Sequence, residues 1–278
     1  MQQFKWINIL KGFAMGTSDL VPGVSGGTIA LLLGIYNQFI ASISGIFSRR
    51  FWPSFTFLIP IIIGMLLAMG SLSNLFNYLL SQHHIPTMFF FGGLIIGIVP
   101  YLLKISNYKT SFTTKHYMMV IAGIAILIVI TLMNNGDKHA GETLTLSTGL
   151  IAGMCASSAM LLPGISGSFM LLVFGVYGTV MLAISEVVKL NFTGLPILLA
   201  VGFGVLAGFI ISSKIIQYFL THHKLMTFAL IIGFVVGSLF AVFPGLPTNI
   251  VMWFVSLVVF IIGFIVSLTL GRITAENE

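Results

Sequence analysis

The chain has 278 residues, of which 58% are hydrophobic and only 6% charged, and its mean hydropathy is +1.11. Those values exclude a soluble globular domain and place it among multi-pass membrane proteins, with length for about six to eight spans of ~20 residues. The formal charge of +6 comes from twelve Lys and Arg scattered through short loops, with no basic stripe or aromatic platform, so a nucleic-acid partner is excluded.

Lys5 and Lys11 interrupt the first residues, and no small-residue cleavage site follows a clean apolar core, so the start reads as uncleaved. The first apolar element, 12–47, is broken by Pro22-Gly23-Val24-Ser25-Gly26. Pro22 lacks a donor and disfavours helix at Val21. Gly23, Gly26 and Gly27 permit backbone angles that other residues avoid. Ser25 or Thr28 can cap the helix that follows. The arm from Gly12 to Val21 reaches only ~15 Å, about half a bilayer core. Three apolar spans follow at about 54–76, 87–103 and 116–134. A polar loop with Asp137, Lys138, His139 and Glu142 then leads to a second broken element, 147–185, with its stop at Pro163-Gly164-Ile165-Ser166-Gly167. Spans are expected at about 194–213, 225–243 and 250–270.

The two broken elements are copies. Gly12–Tyr36 and Gly153–Tyr177 share nine identities at an offset of 141, among them Gly23/Gly164, Ser25/Ser166 and Gly34/Gly175. After a one-residue slip, Gly64/Gly204, His83/His223, Gly93/Gly233 and Gly97/Gly237 continue the register at an offset of 140. The chain therefore reads as one all-α polytopic membrane domain of two repeats, about 5–136 and 146–275. Each is a re-entrant broken-helix hairpin plus about three transmembrane helices. Three crossings per half would invert the second repeat. If both hairpins return to the face they entered, ten Lys and Arg lie on one side and only Lys138 and Lys189 on the other. Full crossing gives an even split, so the positive-inside rule favours re-entry with both termini cytoplasmic, in the cytoplasmic membrane of a bacterium-like cell.

Broken backbone inside a bilayer is tolerated only where protein or a cavity covers it, and a duplicated break points to a transporter's binding site. Two tips entering from opposite faces would meet near the midplane. With free backbone N–H groups, helix N-termini and hydroxyls, they suit an anion such as phosphate. The candidate binding residues are Gly23, Ser25, Gly26, Gly27 and Thr28 from one tip and Gly164, Ser166, Gly167 and Ser168 from the other, with Pro22 and Pro163 as the helix breaks. Asp19 is the one acid within an apolar segment, and a charge at that depth costs at least ~2.5 kcal/mol at a helix centre. It is a candidate for coupling or gating, through a proton or a sodium ion, or for organising the tip by accepting backbone hydrogen bonds. Its repeat counterpart is Met160, so the hairpins are not chemically equivalent.

His83/His84 and His222/His223 read as matching pairs in solvated loops, without the spaced acids or cysteines of a metal site. No metal, catalytic residue or organic cofactor is expected. Cys155 is alone and reads as a small packing residue. Lys104, Lys214, Arg49 and Arg50 read as topology anchors, with a second task of meeting an anionic headgroup. Gly93, Gly97, Gly204 and Gly208 read as small faces for close helix packing.

At Gly12–Thr28 (G-x-x-x-G-x-S-D-L-V-P-G-V-S-G-G-T), Leu32–Tyr36 (L-L-G-I-Y) and Leu161–Ser168 (L-L-P-G-I-S-G-S) the chain resembles the bacterial polyprenyl-phosphate transporters. That family was formerly known only as a membrane domain of unknown function. The resemblance covers essentially the whole chain. It departs at Asn37, where the family often carries an acid. It implies a flippase-type transporter that returns undecaprenyl phosphate, the lipid carrier of envelope precursors, from the outer to the inner leaflet. The implied partners are that lipid and the surrounding membrane lipids, with oligomeric state left open. Two other readings remain: a membrane polyprenyl-pyrophosphate phosphatase, which lacks clustered acids and basic groups in the tips, and a small-anion transporter or channel.

Overall fold

The computed structural model describes residues 5–21, 23–46, 48–133 and 145–276. Every regular element among them is helical: α1 (Ile7–Asp19), α2 (Gly26–Leu32), α3 (Tyr36–Ile46), α4 (Phe51–Gln82), α5 (His84–Ile105), α6 (Tyr108–Ser111), α7 (Thr114–Met133), α8 (Leu146–Leu161), α9 (Gly167–Val173), α10 (Tyr177–Val188), α11 (Leu195–His222), α12 (Lys224–Val242) and α13 (Ile250–Glu276). A short 3-10 turn at Phe192–Gly194 precedes α11. Six of the helices are long and apolar enough to cross a membrane, and the pair 167–173 and 177–187, bent by 113°, makes a seventh candidate. The protein is an all-helical, multi-pass membrane protein. The expected polar loop with Asp137, Lys138, His139 and Glu142 falls in 134–144, outside the described residues.

Segments expected as spans overrun their apolar limits. The segment expected at 54–76 is helical over Phe51–Gln82, 32 residues, or ~48 Å at 1.5 Å per residue. That exceeds the ~30 Å hydrocarbon core, so its polar end, with Asn77 and Ser81, continues as helix beyond the apolar stretch. The histidine pairs are not in loops. His83 alone separates α4 from α5, and His223 alone separates α11 from α12. Both adopt nearly the same backbone angles, φ −132 ψ 42 and φ −131 ψ 45, and each N–H is held by the carbonyl four residues earlier. One non-helical residue is enough to turn the chain, which explains why no loop composition marks the site.

Glycines set the helix pairing. A Cβ at Gly12 or Gly64 would run into the carbonyl of Ile61 or Ile9, so α1 and α4 approach to backbone contact. Gly153 and Gly204 do the same for α8 and α11, against Val201 and Leu150. The remaining long pairs cross between halves of the chain: α7 packs on α12 through Gly123 and Gly233, and α13 packs on α5 through Gly93 and Gly263. Small residues at such contacts replace the hydrophobic driving force that is absent between helices in lipid. At the centre of this frame sit the tips joining α1 to α2 and α8 to α9. They are surrounded by buried Val21, Val24, Ala30, Leu161 and Val235.

Candidate functional site

The first tip begins where α1 stops at Asp19. Its side chain turns back, and Oδ1 accepts a 2.7 Å hydrogen bond from the N–H of Gly26, the first residue of α2. Ser25 is the extended N-cap of α2, and its Oγ accepts from Gly27 N–H at 3.2 Å. Two side chains thus satisfy donors that a helix start leaves unpaired. The Nζ of Lys11 donates to the carbonyl of Leu33 at 3.2 Å, which brings the start of α1 beside the end of α2 and makes the segment a hairpin. Thr274, near the end of α13, donates to the neighbouring carbonyl of Leu32 at 2.8 Å.

The second tip is built alike. Ser166 is the N-cap of α9 and accepts from Phe169 N–H at 3.1 Å, while Ser168 Oγ lies 3.3 Å from Ser166 Oγ. Gly23 (φ +86) and Gly164 (φ +91) both occupy the left-handed region that disfavours side chains. At Gly164 a Cβ would also meet the Phe234 carbonyl. Pro163 is buried in this turn. The other expected helix break, Pro22, lies outside the described residues.

The tips meet and bond to each other. Gly23 donates its N–H to Ser166 Oγ at 3.2 Å, and Gly164 donates its N–H to Thr28 Oγ1 at 2.9 Å. Ser25 Oγ donates to the Leu162 carbonyl at 3.4 Å, and the buried Tyr36 hydroxyl donates to the Leu161 carbonyl at 2.9 Å. Ser25, Thr28 and Ser166 are all buried. Gly26 and Gly27 are buried beside them, whereas Gly167 and Ser168 are half-buried.

This arrangement corrects one expectation. The N–H groups of Gly23, Gly26, Gly27, Gly164 and Phe169 are not free, because hydroxyls and the Asp19 carboxylate fill the places expected for an anion. Each such bond is worth about 1 kcal/mol net, and breaking one without replacement costs ~1–3 kcal/mol. A ligand that supplies acceptor oxygens can therefore exchange for them at little net cost. Asp19 is half-buried. Its Oδ1 is committed to Gly26, whereas Oδ2 is buried with no partner among the described residues. Met160, its counterpart, leaves α9 without an equivalent carboxylate.

Of the basic residues singled out from sequence, Lys104 lines a cavity of about 400 Å³ together with Lys224, Tyr36, Asn37 and Asn107. Lys214, Arg49 and Arg50 are exposed and do not line it. Lys224 and Asn107 were not marked by any motif. They come from separate helix ends, and only the packing brings them to one place.

Residues 15–256 match the model of the VCA0040-like family, described as undecaprenyl phosphate translocase-like. The chain is 98% identical over 283 aligned positions to a protein of Staphylococcus aureus (strain NCTC 8325 / PS 47) named polyprenyl-phosphate transporter, covering 100% of both chains. It is 35% identical over 257 positions to a Vibrio cholerae serotype O1 (strain ATCC 39315 / El Tor Inaba N16961) protein of the same name, covering 86% of this chain and 78% of the other. No solved structure matches. Both relatives are named as transporters and neither as an enzyme. With the family model matched over most of its length, the chain belongs to the undecaprenyl phosphate translocase-like family.

Proposed function

We propose that the protein carries undecaprenyl phosphate across the bacterial cytoplasmic membrane, from outer to inner leaflet, so that the carrier can be reused in envelope synthesis. The family and the names of both relatives support the substrate class. The observation that carries the mechanism is the reciprocal pairing of Gly23 N–H with Ser166 Oγ and of Gly164 N–H with Thr28 Oγ1. The two tips hold one another shut through neutral hydroxyls. Phosphate oxygens are stronger acceptors for the same N–H groups, so a headgroup that enters between the tips replaces the contacts that close them. Gly26, Gly27, Gly167 and Ser168 complete that surface.

The return helices α2 and α9 have seven residues each, so local N–H and O–H donors, more than a long helix dipole, hold the charge. The prenyl chain stays in lipid while the headgroup passes. In this reading the halves are inverted repeats, both hairpins are re-entrant, and both termini are cytoplasmic. The ten-to-two distribution of Lys and Arg supports that orientation. The hairpin contact between Lys11 and Leu33 favours re-entry of the first element. Asp19, with one oxygen fixed and the other unpartnered, is the residue through which a proton or sodium ion couples to tip opening. One chain carries both tips, so the proposed site needs no second copy.

The test is leaflet exposure of undecaprenyl phosphate in liposomes containing the purified protein. Faster crossing of the headgroup than in protein-free liposomes supports the reading. Folded protein that moves a water-soluble anion but no lipid phosphate would replace it with a small-anion transporter. Release of inorganic phosphate from polyprenyl pyrophosphate would replace it with a phosphatase.

A further inference from the structure

The cavity beside Lys104 has a chemistry that the tips lack. It lies where α5 ends, α12 begins and α13 ends, and its wall includes Tyr36, Asn37, Lys104, Asn107, Lys224 and Phe228. Two neighbouring cavities, of about 470 and 350 Å³, share Lys104 with it; one adds Lys109, the other Arg272 and Glu276. Lys104 thus lines all three cavities, whose walls together carry four cations and one acid. None of these cations forms an ion pair among the described residues.

Lys104 has an ordinary explanation, since it lies in the last turn of α5, where a cation suits the negative end of the helix. Lys224 has no such explanation. It is the first residue of α12, at the positive end of a 19-residue helix whose first turn holds no acid and whose N-cap makes no side-chain hydrogen bond. A lysine there opposes the helix dipole, and a second ammonium across the same cavity adds repulsion. The Lys224 Nζ sits 5.9 Å from the ring centroid of Phe228, another residue of the wall, so the side chain leans along the cavity. An anion between the two lysines turns each of these unfavourable terms into an attraction. The amides of Asn37 and Asn107 supply neutral donors beside it.

We infer that this cavity binds a phosphate monoester between Lys104 and Lys224, as a station separate from the paired tips. Assigning the phosphate to a lipid headgroup rests on the proposed function; binding of the phosphate group itself does not. Tyr36 connects the two places: it is part of the cavity wall, and its hydroxyl holds the Leu161 carbonyl at the second tip. Occupancy of the cavity therefore acts directly on a residue that fastens the tips.

The experiment uses the full chain in nanodiscs of phosphatidylcholine, titrated in separate arms with radiolabelled undecaprenyl phosphate, inorganic phosphate and undecaprenol. Lys104→Gln/Lys224→Gln should weaken phosphate binding ~10-fold or more, the scale of losing hydrogen bonds to a charged group. Undecaprenol retention should be unchanged. Lys115→Gln, a charge removal on the exposed start of α7 outside these cavities, should bind like wild type. Weakening in the lipid arm assigns the site to the headgroup; weakening for inorganic phosphate alone assigns it to the free anion. A folded double variant that binds both phosphates as wild type does, or a wild type that binds neither, overturns the inference. A wild type that binds phosphate in the cavity yet moves no lipid would sink the proposed function and leave the cavity assignment standing.

Discussion

Gly164 donates its backbone N–H to the hydroxyl of Thr28, 136 positions earlier in the chain, at 2.9 Å. Both partners are buried, and the glycine holds a positive φ that presents its N–H across the gap. Thr28→Val keeps the shape of the side chain and removes the acceptor, which strands a buried N–H. The expected loss is ~1–3 kcal/mol of stability, read as a lower unfolding temperature in detergent, together with slower lipid-phosphate crossing in liposomes. Thr28→Ser keeps the oxygen and should recover most of both. If valine and serine behave alike, the hydroxyl does not hold the tip.

Asp19 separates a structural role from an ionic one. Asparagine at this position still offers an oxygen to Gly26 N–H, so Asp19→Asn should fold and unfold close to wild type. It lacks the charge that a coupling ion needs, so the proposed transport should fall to the protein-free rate. Asp19→Ala removes the acceptor as well and should lose ~1 kcal/mol of stability, as loss of a helix cap does. Wild-type transport by Asp19→Asn would make Asp19 a cap and nothing more.

The tips were readable in the sequence because Pro, Gly and Ser have few other uses inside an apolar segment, and a duplicated break multiplies the signal. The spans were readable from hydropathy, and their ends were not. Asn77 and Ser81 lie beyond the expected span, yet they extend α4 to Gln82, because helix persists outside the hydrocarbon region without apolar side chains. The one-residue turns at His83 and His223 leave no compositional mark. Within the tips, each hydroxyl could be named, but that Thr28 serves Gly164 and Ser166 serves Gly23 depends on how two hairpins are set against each other. Lys104 could be singled out as a cation at a helix end. Its meeting with Lys224 could not, since the crossed packing of α5 and α12 with α13 and α7 decides which helix ends converge.

Two glycines of α4 test the packing account. A methyl at Gly64 would strike the Ile9 carbonyl and the backbone of Phe13, whereas a methyl at Gly70 meets nothing within 4 Å. Gly64→Ala should therefore force α1 away from α4 and cost ~1–3 kcal/mol, the range for overpacking a close contact. Gly70→Ala relieves the entropic cost of glycine in a helix and should be neutral or stabilising by up to ~1 kcal/mol. Thermal unfolding of the two variants side by side gives the comparison. Equal effects would mean that the α1–α4 contact is not as close as the backbone places it.

Tyr36→Phe separates binding from opening. The Tyr36 hydroxyl bonds the second tip, and the same residue belongs to the wall of the basic cavity. Removing the oxygen leaves the Leu161 carbonyl without its O–H donor at a buried helix end, a cost of ~1–3 kcal/mol that falls on the closed pairing of the tips. The cavity keeps Lys104, Lys224, Asn37 and Asn107, so phosphate affinity in nanodiscs should stay near the wild-type value while the crossing rate changes. A shift in affinity as large as that of Lys104→Gln/Lys224→Gln would instead place the Tyr36 hydroxyl on the phosphate itself. An unchanged crossing rate would show that the link from cavity to tip does not run through this hydrogen bond.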